Sequence, residues 1–263
     1  MYLLPAIDLL DGQVVRLEQG DYDKVTVYDS DPVLRAQLFE EAGAEWIHVV
    51  DLDGARTGKP ANTDVIRDIL AKTKLKVEVG GGVRTPEALD ALMDAGADRV
   101  VLGTALVRDE DFVRQAIAKY GADALAAGID ARDGEVAVEG WCEGSGCSAE
   151  DLARKVGDLG FVHLIYTDIA RDGKQTGIDP QAYVAMARAF GNPVIASGGV
   201  ASAADIEALA VVSDSVEAVI AGRAIYEGTL SVEDGVAACG GTMAVSDHLE
   251  DAMKPLTLEE LEG

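Results

Sequence analysis

Two short segments of this chain are nearly the same, and they lie almost half a chain length apart. Residues 7–12 and 129–134 each end an apolar run with an aspartate, Asp8 in the first and Asp130 in the second, and each continues to an Asp-Gly pair. The offset is 122 positions in a chain of 263 residues. When a strand ends at an aspartate, the carboxylate lies at the carboxyl-terminal edge of a parallel sheet or at the mouth of a barrel. The repeat therefore predicts a duplicated fold in which one acid from each half faces a shared site.

The repeat extends well beyond these segments. The offsets of the further matches are steady, between 117 and 119 positions, and the period is far longer than the roughly 20–50 residues of a solenoid repeat. We interpret the pattern as a duplicated half-domain. The further matching pairs are 81–83 with 198–200, 101–105 with 220–224, and 48–52 with 165–169.

Short apolar segments alternate with helical patterns along the chain. The segments are apolar on both faces, as is typical of parallel strands covered on both sides. Eight strand–helix units in a chain of this length predict a (β/α)8 TIM barrel built from two half-barrels. A doubly wound open sheet is the alternative, and it explains the repeat less well. The predicted strands are 2–8, 46–51, 76–79, 99–102, 125–130, 162–168, 194–196 and 218–221.

The charge and composition exclude several classes of protein. The net charge is −25, which argues against a nucleic-acid partner because phosphate backbones require clustered Lys and Arg. The chain has no run of about 18 apolar residues, so no membrane partner is expected. The acid at position 8 follows a start without basic residues, which is unlike a signal peptide. Three cysteines, an odd number, favour a reduced, cytoplasmic setting. We expect a monomer with a barrel over 1–228 and an acidic helix or tail, partly docked or frayed, over 229–263.

Glycine-rich loops follow four of the predicted strands and are paired by the repeat. Glycine lets backbone N–H groups approach an anion, and a helix N-terminus adds partial positive charge. The loops after strands seven and eight are the usual phosphate site of such barrels, and the repeat places a second site opposite. Two sites across one mouth imply a small-molecule substrate with a phosphate at each end. The predicted phosphate-binding residues are Gly81, Gly82, Arg84, Gly103, Thr104, Ser197, Gly198, Gly199, Gly222 and Arg223.

Five aspartates lie at or just beyond predicted strand ends: Asp8, Asp51, Asp130, Asp168 and Asp172. The repeat places Asp8 opposite Asp130, and two acids in different environments can act as base and acid. Asp51 and Asp168 are interpreted as structural, because nothing near them in sequence makes them reactive. A Mg²⁺ site formed by Asp8, Asp130 and Asp172 is a weaker alternative.

The sequence gives little support to a nucleophile or a dedicated metal site. His48 and His163 lie within predicted strands and are interpreted as core residues, and no His-x-x-x-His or Cys-x-x-Cys spacing occurs. Trp141 stands in a glycine-rich loop after the fifth strand. We expect it to close over a flat ring by stacking, and a loop anchor on the barrel rim is the alternative.

Several motifs together resemble one family, the histidine-biosynthesis isomerases that act on phosphoribosylformimino-aminoimidazole carboxamide ribotide (ProFAR). The resemblance runs from residue 2 to about residue 228, and the tail beyond does not share it. On this resemblance Gln19 and Gly20 are also assigned to substrate binding. The motifs that carry it are residues 5–9, 14–22, 48–55, 80–85, 166–173 and 196–200.

The resemblance implies an Amadori rearrangement, in which an aminoaldose becomes an aminoketose. Asp8 matches the family's general base, which takes the proton from ribose C2. Asp130 matches the traditional general acid, which opens the furanose ring, and Asp172 matches a rival candidate for that acid. Thr167 matches a residue that hydrogen-bonds the reacting ribose. Proton transfer between adjacent carbons needs no metal and no organic cofactor, so none is expected.

Three other functions remain as alternatives. The cyclase of imidazole glycerol phosphate synthesis shares the repeat and both acids, but it normally has Cys before its first Asp and a Lys-rich sequel. Residues 6–7 and 16–19 favour the isomerase instead. A dual-substrate isomerase that also acts on phosphoribosyl anthranilate uses an Arg two residues before the loop Trp, where this chain has Glu139. A non-enzymatic phosphosugar-binding barrel would not need Asp8.

Overall fold

The computed structural model describes residues 1–18, 20–138 and 143–240. The strands, in chain order, are β1 (Tyr2–Leu10), β2 (Gln13–Glu18), β3 (Asp21–Asp29), β4 (Trp46–Asp51), β5 (Lys76–Gly80), β6 (Arg99–Leu102), β7 (Leu125–Arg132), β8 (Glu135–Val138), β9 (Glu143–Ser148), β10 (His163–Asp168), β11 (Val194–Ser197) and β12 (Val216–Ala221).

Helices follow or separate the strands. They are α1 (Pro32–Glu41), α2 (Leu52–Thr57), α3 (Thr63–Lys72), α4 (Pro86–Ala95), α5 (Thr104–Arg108), α6 (Glu110–Tyr120), α7 (Ala149–Leu159), α8 (Pro180–Phe190), α9 (Ala203–Ala210), α10 (Arg223–Tyr226) and α11 (Val232–Ala238).

Eight of the strands form a closed parallel barrel. Their order around the barrel is β1, β4, β5, β6, β7, β10, β11 and β12, and β12 pairs with β1 to close it. The predicted (β/α)8 TIM barrel is thus confirmed, and each of the eight predicted strands matches an observed one to within two residues at either end. Parallel strands in one barrel direct all their carboxyl ends to the same face, which gathers the residues that follow them.

Four strands outside the barrel were not predicted from the sequence. β2 and β3 form an antiparallel hairpin that extends β1, and β8 and β9 extend β7 in the same way. Each extension begins at an Asp-Gly turn, Asp11–Gly12 or Asp133–Gly134, in which both residues have positive φ. Both hairpins therefore stand over the carboxyl-terminal face of the barrel, one in each half.

Helix ends follow from local chemistry. Asp31 caps α1 by accepting hydrogen bonds from the N–H groups of Val33 and Leu34, and proline occupies the first turn. Thr85 caps α4 through the N–H of Ala88, and Gly96 ends it in the left-handed conformation with φ of 102°. These caps fix where each loop between strand and helix begins and ends.

The apolar core has two main parts. The larger lies between the strands and the surrounding helices, and the smaller fills the barrel interior with side chains such as Leu4, Ala126 and Ile195. The interior also holds a fully buried ion pair between Glu78 and Arg99. Because these side chains fill the barrel, a ligand would reach the strand ends from the mouth rather than through the interior.

The part of the predicted tail that the structure describes packs on the barrel. α11 lies against α9 and β1, and a Cβ at Gly235 would come within 2.9 Å of Leu3 Cδ2. Residues 241–263 lie outside the described part of the chain, so the boundary at residue 228 stays a prediction. Among the described helices, none has the length and apolar character that crossing a membrane requires.

Candidate active site

A cavity of about 270 Å³ opens at the carboxyl-terminal face of the barrel. All eight barrel strands, or the loops that follow them, contribute to its lining. Two predicted site residues, Gln19 and Trp141, lie outside the described residues, as does Glu139. The structure brings the other predicted residues together around the cavity: Asp8, Gly20, Gly81, Gly82, Arg84, Gly103, Thr104, Asp130, Thr167, Asp172, Ser197, Gly198, Gly199, Gly222 and Arg223.

Gly82 and Gly199 occupy equivalent turns in the two halves. Both have left-handed φ values, 75° and 97°. A Cβ at Gly82 would collide with the carbonyl group of Gly54, and a Cβ at Gly199 would collide with the carbonyl oxygen of Gly177. Only glycine fits such a turn without strain or displacement. The two loops therefore expose backbone, rather than side chains, to the cavity.

The turns after β6 and β12 also share one shape. Gly103 precedes α5 with φ of −113° and ψ of −91°, and Gly222 precedes α10 with φ of −118° and ψ of −92°. The same backbone conformation thus recurs across the barrel mouth, next to the glycine turns just described. The two pairs of loops give the cavity two ends of similar construction.

Two arginines line these two ends. Arg84 is held by a hydrogen bond of 2.7 Å from Nη2 to the carbonyl oxygen of Ala55. Arg223 donates from Nη2 to the carbonyl oxygen of Leu17 at 3.1 Å and forms an ion pair with Glu227. Within the described residues, its buried Nε has no hydrogen-bond partner. An unsatisfied buried donor costs about 1–3 kcal/mol, so an anion bound at this end would satisfy it.

Asp51 and Asp168 have structural hydrogen bonds. Asp51 is fully buried and accepts hydrogen bonds from the backbone N–H groups of Gly54, Ala61 and Asn62. Asp168 accepts one from the N–H of Ala170. These contacts organise the loops after β4 and β10, in agreement with the structural interpretation of both residues.

Asp8, near the end of β1, forms an ion pair with Arg16 of β2. The distance from Arg16 Nη1 to Asp8 Oδ2 is 2.9 Å, and the two side chains are 11% and 14% exposed. Burial alone would lower the pKa of Arg16, but the carboxylates of Asp8 and Asp172 hold that pKa above its ordinary value. Arg16 also lies against the second glycine loop, since a Cβ at Gly222 would collide with its guanidinium. It therefore fixes the Asp8 carboxylate relative to that loop.

In the second half of the barrel, the position equivalent to that of Arg16 is occupied by Val138. The strand register pairs Asp8 with Val15, the residue before Arg16. It pairs Asp130 with Ala137, the residue before Val138. Valine carries no charge, so the position that gives Asp8 its guanidinium gives Asp130 none. The two acids related by the repeat thus differ in the residue that occupies this neighbouring position.

Asp130, Thr167 and Ser197 form a row across three neighbouring strands. Thr167 of β10 pairs in register with Asp130 of β7 on one side and with Ser197 of β11 on the other. Thr167 is buried, with 6% exposure, yet it lines the cavity. The row presents a carboxylate and two hydroxyl groups to one wall of the site.

Asp172 lies in the loop after β10. Its backbone N–H donates to the carbonyl oxygen of Asp168 at 2.9 Å, which closes a turn. Burial raises the pKa of the Asp172 carboxyl; Arg16 opposes this shift, while the charges of Asp8 and Asp130 add to it. Asp172 consequently holds its proton to a higher pH than an ordinary aspartate.

Several residues line the cavity that the sequence analysis did not assign to the site. They include Arg16, Tyr22, His48 and Gln175. Arg16 and Tyr22 lie on the hairpin that was not predicted, and His48 was interpreted as a core residue of a strand. A signal was present for the hairpin, because an Asp-Gly pair between β-rich segments is a strong hairpin pattern.

No group of three or more His, Cys, Asp or Glu side chains within the described residues is arranged to hold a metal ion. Asp8, one of the three acids of the alternative Mg²⁺ site, forms an ion pair with Arg16.

The fold and the cavity define a (β/α)8-barrel enzyme whose mouth carries paired glycine loops around a group of aspartates. A family model described as "Histidine biosynthesis protein" matches residues 2–231. The chain belongs to this family.

Curated relatives match the chain over almost its whole length. It is 49% identical over 240 residues to the 1-(5-phosphoribosyl)-5-((5-phosphoribosylamino)methylideneamino)imidazole-4-carboxamide isomerase of Xanthobacter autotrophicus, covering 91% of this chain and 98% of the relative. The isomerase of the same name from Shouchella clausii is 47% identical over 235 residues, covering 89% and 97%. That of Rhodopseudomonas palustris is 46% identical over 245 residues, covering 93% and 100%.

Proposed function

We propose that this chain catalyses the Amadori rearrangement of ProFAR, from aminoaldose to aminoketose, in histidine biosynthesis. The observation that carries the proposal is the pair of equivalent glycine turns, at Gly82 and Gly199, on opposite sides of one carboxylate-lined mouth. The name of the relatives describes a molecule with two phosphoribosyl groups. A substrate with a phosphate at each end matches a site with an anion-binding turn at each end.

The reaction moves a hydrogen between adjacent carbons of one ribose. A general acid protonates the ring oxygen as the furanose opens, a base then removes the proton from C2, and the resulting enolamine tautomerises to the aminoketose. We assign the base to Asp8, because Arg16 holds its carboxylate in a fixed position beside the cavity. General-base catalysis requires such a carboxylate within hydrogen-bond reach of the proton that it removes.

The general acid is assigned to Asp172 rather than Asp130. Burial raises the pKa of Asp172, and a general acid must keep its proton near neutral pH. Asp130 lies in the rigid row with Thr167, which suits an orienting role. Thr167 is assigned to a hydrogen bond with the reacting ribose.

The phosphates are assigned to the two ends of the cavity. One end has Gly81, Gly82, Arg84, Gly103 and Thr104, and the other has Ser197, Gly198, Gly199, Gly222 and Arg223. Gln19 and Gly20 are assigned to substrate binding on the resemblance, and Gly20 also lines the cavity. Trp141 is assigned to it because it stands on a glycine-rich loop and can stack on a flat ring.

An assay with ProFAR and phosphoribosyl anthranilate side by side tests the proposed function. We expect turnover of ProFAR and no comparable turnover of phosphoribosyl anthranilate, because Glu139 stands where the dual-substrate enzymes have Arg. Absence of ProFAR turnover by folded protein would refute the proposal. Comparable turnover of both substrates would establish the dual-substrate alternative instead.

Inorganic phosphate is expected to bind at both ends of the cavity. The chain is strongly acidic, so these sites depend on backbone N–H groups and on Arg84 and Arg223. A crystal grown in phosphate or sulfate should show one anion at each glycine loop. Anions found only at the amino-terminal face of the barrel would contradict the assignment.

Glycine variants provide a matched control for these sites. Gly82→Ala and Gly199→Ala each add a methyl group that collides with backbone, and each is expected to weaken phosphate binding at its own end only. Gly134→Ala is the control, because Gly134 also has positive φ but has no atom near the added Cβ. Equal effects of all three variants on phosphate affinity would show that backbone strain, not loop shape, is being measured.

Activity is expected to be independent of added metal. The proton transfers assigned to Asp8 and Asp172 need no Lewis acid, and Asp8 is already paired with a cation. The measurement is kcat/KM before and after exhaustive treatment with EDTA, with Mg²⁺ and Zn²⁺ added back. Loss of activity in EDTA that either ion restores would overturn the assignment of these carboxylates.

We infer a monomeric, cytoplasmic enzyme. Three cysteines leave at least one thiol unpaired, which is typical of reducing compartments. Light scattering coupled to size-exclusion chromatography tests the oligomeric state, and a mass of twice the chain mass would refute the monomer.

A further inference from the structure

A chain of polar side chains crosses the interior of the barrel beneath the cavity. Glu78 is fully buried and uses both carboxylate oxygens: Oε1 lies 2.7 Å from His48 Nδ1, and Oε2 accepts from Arg99 Nε at 2.6 Å. Arg99 Nη2 donates in turn to Tyr2 Oη at 3.1 Å. The Arg99 guanidinium also lies over the ring of Trp46, 4.6 Å from its centroid. Each member of the chain is held by at least one neighbour.

Stability alone does not account for this arrangement. Replacing a buried ion pair with well-packed apolar side chains is often neutral or stabilising, and the remaining interior is largely apolar. The chain ends, however, at a side chain that reaches the cavity. His48 is 12% exposed and lines the cavity, whereas Glu78 behind it is completely enclosed.

The surroundings of His48 leave its ring accessible from the mouth. In the strand register, Ala6 of β1 lies beside His48, and Asp8 lies beside Val50, the next residue of β4 that faces the cavity. His48 is therefore one layer below the proposed base. Gly80 follows Glu78 on the same face of β5 and has no side chain to cover the ring.

We propose that His48 binds the substrate: its Nε2 forms a hydrogen bond with a hydroxyl group of the bound phosphoribosyl substrate, and Glu78 is the positioning residue that fixes the ring. The inference rests on the proposed function, since it names a further contact of the same site.

The hydrogen-bond partners determine which nitrogen is available. Burial alone would raise the pKa of Glu78, but the hydrogen bond and charge of His48, together with Arg99, hold that pKa below its ordinary value. An ionised carboxylate can only accept, so the hydrogen shared with Glu78 belongs to Nδ1 of His48. Nε2, on the far side of the ring from Glu78, is then the nitrogen that can face a ligand in the cavity, and a hydroxyl group can pair with it as donor or as acceptor.

The chain offers a matched control in His163. Its Nδ1 lies 2.9 Å from Glu217 Oε1, so it also forms a histidine–glutamate pair, and it too lies on a barrel strand. His163 begins β10, at the end of the strand remote from the mouth, and it does not line the cavity. A purely structural histidine–glutamate pair is expected to behave as His163 does.

Two substitutions separate the roles of the two ring nitrogens. In His48→Asn the amide nitrogen replaces Nδ1 and keeps the hydrogen bond to Glu78, but nothing replaces Nε2. In His48→Gln the longer side chain places an amide group near Nε2. We expect His48→Asn to lower kcat/KM about 3- to 10-fold, which corresponds to one lost hydrogen bond, and we expect His48→Gln to retain more activity than His48→Asn.

The outcomes of this comparison are distinct. A His48→Asn variant with wild-type kcat/KM, or a His48→Gln variant that is the more impaired of the two, would overturn the inference and leave a structural role. His163→Asn should keep the kcat/KM of the wild type, and a loss as large as that of His48→Asn would show that any histidine–glutamate pair affects activity. Inactive wild-type protein would instead be a failure of the proposed function.

A spectroscopic measurement tests the contact directly. The chain has three histidines, so ¹⁵N-labelled imidazole resonances can be assigned with the His48 and His163 variants. Saturating the Asp8→Asn variant, which should bind ProFAR without turnover, is expected to shift the Nε2 resonance of His48 and to leave that of His163 unchanged. An unshifted His48 resonance in the saturated protein would exclude the contact.

Discussion

Asp8→Asn is expected to lower kcat by about 10²–10⁴-fold, the usual contribution of general acid–base catalysis. Asparagine keeps the shape of the side chain and an oxygen that can accept from Arg16, but it cannot take up the proton from ribose C2. The dissociation constant for ProFAR should change little, because the phosphate contacts lie at the two ends of the cavity. Steady-state kinetics and isothermal titration calorimetry measure the two quantities separately.

Asp133→Asn is the control for this substitution. Asp133 is exposed and lies at the turn that follows β7, outside the cavity lining. Its kcat should equal that of the wild type. A near-wild-type kcat for Asp8→Asn would remove Asp8 from the role of base, and a large loss of ProFAR affinity would make it a binding residue instead.

Asp172→Asn is expected to lower kcat by a similar factor, about 10²–10⁴-fold, and to remove the basic limb of the pH–rate profile. Burial is the main cause that raises the pKa of Asp172 in the folded protein, and the charges of Asp8 and Asp130 raise it further. A raised pKa extends the protonated form to higher pH, so the wild-type rate should fall only when the pH passes that pKa. Asparagine cannot supply the proton at any pH, and the residual rate should therefore not fall on the basic side.

Asp130→Asn should behave differently. If Asp130 orients the site, its loss lowers kcat but leaves the basic limb where it was. The measurement is a pair of pH–rate profiles for kcat under saturating ProFAR, with wild type alongside. A profile in which Asp130→Asn loses the basic limb and Asp172→Asn keeps it would exchange the two roles.

The barrel strands could be predicted because they are buried on both faces. β10 and β11, for example, have short apolar segments bounded by polar residues, and this pattern is typical of strands in a barrel core. β3 follows no such pattern, since most of its residues are exposed or half-buried and the segment is rich in polar side chains. β3 pairs with β2 through backbone hydrogen bonds. The pattern of apolar residues along the sequence does not reveal such bonds.

The Asp-Gly pairs at 11–12 and 133–134 carry two signals, the repeat and a hairpin turn. The sequence analysis predicts the repeat from them but not the hairpins that they begin. In the structure both residues of each pair have positive φ, as a tight two-residue hairpin turn requires. The repeat of that turn explains why both halves of the barrel carry a hairpin at the same place.

The predicted strand ends were sufficient to place the site residues at the mouth of the barrel. They were not sufficient to predict which side chains those residues contact. Asp8 could be placed at the mouth once β1 was recognised, whereas its pairing with Arg16 required the hairpin to fold back. His48 was interpreted as core because its strand is buried, and sequence alone does not show which face of a barrel strand points inward. Both omissions concern contacts between strands, which local sequence patterns describe least well.

The different residues at the positions next to Asp8 and Asp130, Arg16 and Val138, give the cavity a direction. A molecule with phosphates at both ends can enter a two-fold symmetric mouth in two orientations, and equal loops would hold both equally well. The guanidinium of Arg16, with only Val138 at the matching position, makes the two orientations differ in energy. A designed barrel assembled from two copies of the first half would place an arginine beside each acid, and it would lose this means of selecting which ribose is opened.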